Sequence, residues 1–140
     1  MSKEIQEVLG YCEENFEKGN LELALRCAVS VSMSNPNAPE PYAHVTAYRI
    51  LLTAANNRTA TREPDYYAVL GIKRGSSSKT VAKSIERRRT EITELFNNGQ
   101  IGDFKAVFGV CDLLKRGIAE LKNDDRRRAY DLRSGFSLVD

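Results

Sequence analysis

The sequence predicts an all-α protein, on three observations. Apolar residues recur at steps of three and four along most of the chain. Gly, Asn and Pro punctuate the gaps between these stretches. A stripe over residues 104–121 keeps the helical period without a break. A chain of 140 residues with 41% hydrophobic content is enough for one compact domain, or for two small touching ones.

The first elements form a hairpin. Ile5, Val8, Leu9, Cys12 and Phe16 make one apolar stripe, and Gly19 supplies a stop because it adopts the left-handed conformation that closes a helix. Asn20 is the expected cap of a second helix carrying Leu21, Ala24, Leu25, Ala28, Val31 and Ser32, which ends at Asn35-Pro36. Ala24 and Ala28, four apart, allow two backbones to approach closely. A third helix is expected over residues 40–55, with Pro41 in its first turn, where the missing N–H costs nothing. Its apolar contacts are assigned to Tyr42, Val45, Ile50 and Leu52, with Ala43 and Ala47 as spacers.

Residues 56–63 are polar and read as a linker. Asp65 is the expected cap of a short helix that stops at Gly71, with Tyr67 and Leu70 pointing inward. After Gly75-Ser76-Ser77-Ser78, Ser78 is the expected cap of a long helix over residues 79–96, with Val81, Ile85, Ile92, Leu95 and Phe96 as its stripe. Asp103 is then expected to cap a helix with Phe104, Val107, Phe108, Cys111, Leu114, Ile118 and Leu121 inward. A short connection folds the two long helices into a hairpin. Asp124-Asp125 opens a last short helix that returns Tyr130 to the pair. The expected division is a bundle at 1–56, a linker at 57–64 and a second domain at 65–135.

Two resemblances arise from these residues. Gly19, Ala24, Ala28 and Pro36 make the first three helices resemble one tetratricopeptide repeat plus the first helix of another, a unit that must pack on something. Asp65-Tyr66-Tyr67-Ala68-Val69-Leu70-Gly71-Ile72 and Arg126-Arg127-Arg128-Ala129-Tyr130-Asp131 make the second half resemble the J-domain of the DnaJ family. A helical hairpin just upstream is similar to the N-terminal architecture of plant J-domain proteins. The resemblance implies a J-like domain without its reactive tripeptide. The only histidine is His44 and no proline follows Pro64, so His-Pro-Asp is absent. Aligning Val81 and Ile85 puts Thr93, Glu94 and Leu95 at its place. There, working members break the helix and present a loop that triggers ATP hydrolysis by a DnaK-type chaperone. The three residues present here are compatible with continued helix. Arg88 stands where the family has an apolar residue, and is expected to snorkel outward or to pair with an acid on a neighbouring element.

The family's basic second-helix face engages an acidic chaperone surface, and Lys83 and Arg87 match it, while Glu86 departs from it. Arg126 and Arg127 complete the candidate partner-binding set. Arg87-Arg88-Arg89 and Arg126-Arg127-Arg128 lie close to Glu91, Glu94, Asp124 and Asp125. They read first as solvated faces with ion pairs, then as a surface for an acidic protein, and last as a nucleic-acid contact. The net charge of +2 does not announce a nucleic-acid binder by itself.

Cys12, Cys27 and Cys111 suit reduced thiols better than a disulfide framework, and one histidine with no CxxC pair does not make a zinc site. The Gly-Ser run at 75–78 lacks the spacing and the preceding strand of a nucleotide-phosphate loop. His44 reads as an ordinary surface or part-buried side chain. No apolar run approaches the ~18 residues of a membrane span and no signal-peptide pattern is present, so a cytoplasmic or nuclear protein is expected. The expected function is a non-enzymatic J-type adaptor for a protein partner, a DnaK-type chaperone or a chaperone client, with no cofactor. The alternatives are a regulator that binds such a chaperone without stimulating it, and a weak nucleic-acid binder.

Overall fold

The computed structural model describes residues 2–98 and 105–136. Among the described residues there are seven helices: α1 (Lys3–Glu17), α2 (Leu21–Ser34), α3 (Pro39–Asn56), α4 (Tyr66–Leu70), α5 (Ser78–Asn98), α6 (Lys105–Lys122) and α7 (Asp124–Ser134). They contain no strand, only an isolated bridge between Arg58 and Pro64. The all-α class is therefore observed. None of these helices is long and apolar enough to cross a membrane.

The chain forms two compact units, Met1–Leu52 with Ile92–Val110, and Thr53–Glu91 with Cys111–Asp140. The boundaries fall inside α3, α5 and α6, so each unit takes two stretches of chain.

In the first unit, α1 and α2 fold back on each other through Gly19, whose φ of +85° is the left-handed value the sequence demanded. Ser2 caps α1 by accepting the Ile5 N–H at 3.2 Å. Asn20 occupies the capping position of α2 but makes no side-chain cap. Its amide turns back instead toward Asn15, a buried side chain that donates to the Tyr11 carbonyl at 2.9 Å. Ala24 and Ala28 are fully buried, and Ile5, Leu9 and Val31 form one apolar cluster. In α3 the inward aromatic is Tyr48, not Tyr42, which is exposed. The buried face runs through Ala43, His44, Ala47 and Tyr48, and Tyr42 falls outside that three-and-four spacing.

In the second unit, Val81 and Ile85 of α5 are buried as expected. The side chains of Leu95, Phe96, Asp103 and Phe104 lie outside the described residues. Helix α5 starts one residue early, because Ser77 supplies the cap. Its hydroxyl accepts the Thr80 N–H at 3.2 Å, while the Ser78 hydroxyl is drawn to α7.

Helix α6 buries Leu114 and Leu121 as expected but not the whole of its expected stripe. Ala106, Val110, Leu113, Leu114 and Leu121 are buried, whereas Phe108 is 63% exposed and Cys111 is also exposed. A Cβ on Gly117 would stand 3.1 Å from the Tyr66 ring and 3.3 Å from Leu70, so the glycine faces α4 and lets it close on α6.

Candidate functional site

The two motifs that open and close the second half are bonded to each other. Asp65 caps α4 by accepting the N–H groups of Tyr67 and Ala68, at 3.1 and 3.2 Å. Gly71 ends α4 at φ +68°. The fully buried Tyr130 of α7 then reaches back. Its hydroxyl donates to the Pro64 carbonyl at 2.6 Å and accepts the Tyr66 N–H at 3.0 Å. The Tyr67 hydroxyl donates to Asp131 at 2.6 Å. Burial pushes the Tyr130 phenol up to about 12, and burial followed by the Asp131 hydrogen bond raises that of Tyr67. Both remain protonated donors at neutral pH.

The residues read as a linker are an ordered loop of the second unit. Asp65 N–H bonds the Asn57 carbonyl and Thr59 N–H bonds the Glu63 carbonyl, both at 2.8 Å. Arg62 turns the loop at φ +66°. Arg133 of α7 holds Glu63 through two bonds of 2.8 and 3.0 Å and Glu120 through a third of 2.9 Å. The bonds from Arg133 depress the Glu63 carboxyl below its ordinary range.

Lys83 and Arg87 are both exposed on α5, one helical turn apart, so their cations share a face. Among the described residues neither enters an ion pair, whereas Arg88 pairs with Glu91 and Arg89 with Glu86. Arg88's acid lies on its own helix rather than on a neighbouring element, and its guanidinium also approaches the Val69 carbonyl at 3.5 Å.

Arg126 and Arg127 are engaged within the fold. Arg126 pairs with Glu120 at 2.9 Å. Arg127, with a side chain only 15% exposed, pairs with Asp124 at 3.2 Å and donates to the Ser78 hydroxyl at 3.0 Å. Ser78 in turn donates to Asp124 at 2.6 Å, which ties the first turn of α5 to α7.

Helix α5 runs through Thr93, Glu94 and Leu95 to Asn98, and Thr93 and Glu94 are exposed. No proline is present to remove a helical hydrogen bond, so the backbone stays coiled there.

A polar cavity of about 390 Å³ in the second unit lies beside the 75–78 turn and α7. Arg74, Ser76, Arg127 and Arg128 line it. Arg74 is held by Asp65 at 2.8 Å and stacks 3.5 Å above the Phe136 ring. Sequence reasoning missed Arg74 and Phe136. Neither belongs to a periodic stripe, and their meeting depends on the α7 terminus, where Gly135 at φ +79° sends Phe136 back.

The remaining candidates are quiet. His44 is 5% exposed, not at the surface. One ring nitrogen lies 2.9 Å from the Glu40 carbonyl and the other 4.0 Å from Glu13. Burial pushes the Cys12 thiol up to about 12, with Cys27 and Glu13 adding to the shift, so it is no nucleophile at neutral pH. Among the described residues no group of three or more His, Cys, Asp or Glu side chains is placed to hold a metal ion. In comparisons with known proteins, no family model, no curated protein and no solved structure matches this chain.

Proposed function

We propose that the chain is a non-enzymatic protein-interaction adaptor on a J-type scaffold that lacks the means to stimulate a chaperone ATPase. The observation that carries this reading is α5, which is helical through residues 93–95, where a stimulating member would present a proline-broken loop. Two further features support it. The opening and closing motifs meet through the Tyr130 and Tyr67 hydroxyls. The exposed Lys83 and Arg87 have no ion-pair partner among the described residues, which leaves both cations available to an acidic surface.

The test uses the purified chain and a DnaK-type chaperone. ATP hydrolysis by the chaperone is expected to stay at its basal rate. Strong acceleration would overturn the proposal. Partners captured by the chain are expected to be lost when Lys83→Glu and Arg87→Glu are combined, with binding down about tenfold or more. If a DnaK-type chaperone is itself captured, and a working J-domain displaces it without any gain in ATPase rate, the partner is the chaperone and the role is regulatory.

A further inference from the structure

We propose that Ser76 is a phosphorylation site whose phosphoryl group is received by Arg127 and Arg128 of α7. Lys73 and Arg74 stand three and two residues before Ser76, the charge pattern that an acidic kinase substrate groove reads. Gly75, at φ +82°, turns the chain between them. The Ser76 hydroxyl donates only to the Lys73 carbonyl of its own turn, at 2.6 Å, and Ser76 lines the polar cavity.

The cavity is lined by three guanidinium groups, Arg74 paired with Asp65, Arg127 paired with Asp124, and Arg128, together with the carboxylates of Asp124 and Asp131. Those carboxylates are already engaged, Asp124 by Ser78 and Arg127 and Asp131 by the Tyr67 hydroxyl. Arg128 is 73% exposed and reaches Asp125 only at 4.0 Å, so it has donors to spare. The neighbouring serines fit less well. Ser77 caps α5, and a phosphate on Ser78 would meet the Asp124 carboxylate that its hydroxyl now touches.

In the transfer, the Ser76 hydroxyl oxygen bonds the γ-phosphorus of ATP as the bond to the β–γ bridging oxygen breaks. ADP leaves, and the hydroxyl proton passes to the base of the kinase. The product carries roughly −1.5 to −2 charges at pH 7 and three acceptor oxygens, which suit the guanidinium forks of α7. The Gly-Ser turn would then meet phosphate as a modification, not as a nucleotide loop.

The experiment incubates the full chain with ATP and a serine kinase that prefers basic residues two and three positions before its target, followed by mass-spectrometric mapping. Ser76 is expected to carry the phosphate, and Ser76→Ala to lose about tenfold of the incorporation. In a ³¹P NMR titration the phosphate should ionise about half a unit below its ordinary value of about 6 and return toward it in Arg128→Ala. An unmodified chain, or incorporation unchanged in Ser76→Ala, overturns the proposal. So does a phosphate that titrates identically with and without Arg128. Arg128 is exposed, and far-UV circular dichroism of the variant checks that its fold is unchanged. The adaptor reading is independent of this result.

Discussion

The two units of the chain differ in what is added to an apolar core. The first, Met1–Leu52 with Ile92–Val110, relies on apolar surface of every size: Ala24 and Ala28 without exposed area, the fully buried ring of Tyr48, and Ile5, Leu9 and Val31 in one cluster. The second, Thr53–Glu91 with Cys111–Asp140, buries an apolar core too, Val69, Val81, Ile85 and Leu121 within it, and adds directed hydrogen bonds between residues 64 and 66 positions apart. Apolar contact tolerates any side chain of suitable volume, so it leaves a diffuse pattern in a sequence. A buried hydroxyl that satisfies two particular backbone groups tolerates almost no substitute, and leaves a motif.

The sharpest way to break the contrast is Tyr130→Phe. The ring remains, with its neighbour Tyr66 at 5.3 Å between centroids, but the hydroxyl is gone. The Tyr66 N–H and the Pro64 carbonyl then lose their partner in a site with little access to water. Each stranded group costs about 1–3 kcal/mol, so a loss of roughly 2–6 kcal/mol is expected in urea denaturation. A loss below about 1 kcal/mol would mean that the junction is ordinary aromatic packing. In the first unit the matching experiment is Ala28→Leu, which adds volume where none is free. Overpacking of this kind costs about 1–3 kcal/mol, again by urea denaturation. A neutral result would show that α1 and α2 separate easily.

These two positions also mark what could be read in advance. Asp65, Gly71 and Tyr130 were legible because capping, left-handed backbone and a recurring motif each name one residue type for one task. The helices were legible from their spacing. On α6, Leu114 and Leu121 were legible, but the exposure of Phe108 and Cys111 and the approach of α4 at Gly117 were not, because an apolar stripe says nothing of where a small residue lets a neighbour close in. Tyr48 was missed for a related reason. On a helix with apolar residues on several sides, the phase is set by what it packs against. For the candidate site, Lys83 and Arg87 could be named from the sequence. The tying of Arg127 to Ser78 and Asp124 could not, since it joins the starts of two helices 49 residues apart.

The finest distinction between the units is their response to acid, where each carries one diagnostic group. In the first unit His44 is held below its ordinary value of about 6.5, first by burial, while the Glu40 carbonyl and charge pull weakly the other way. The unfolded chain therefore takes up this proton as pH falls through about 6.5, while the folded chain does not, and stability declines across that window. Glu13, which faces the ring, opposes this at lower pH, since burial and Glu17 raise its carboxyl and let the folded state bind a proton first. In the second unit Glu63 is depressed by Arg133, so its contribution is complete above the ordinary carboxylate value and fades only as pH falls through the lower folded value. Being partly exposed, the Glu63–Arg133 pair is worth about 0.2–1 kcal/mol. Because His44 is the only histidine, its ring proton can be followed by NMR without assignment. It should titrate below about 6.5, and His44→Gln should flatten the stability slope as pH falls through about 6.5. Glu63→Gln should leave that slope intact and alter only the acid end. A ring that titrates at or above the free-histidine value would place it in water, and would remove the distinction between a unit sensitive near neutrality and one sensitive only to stronger acid.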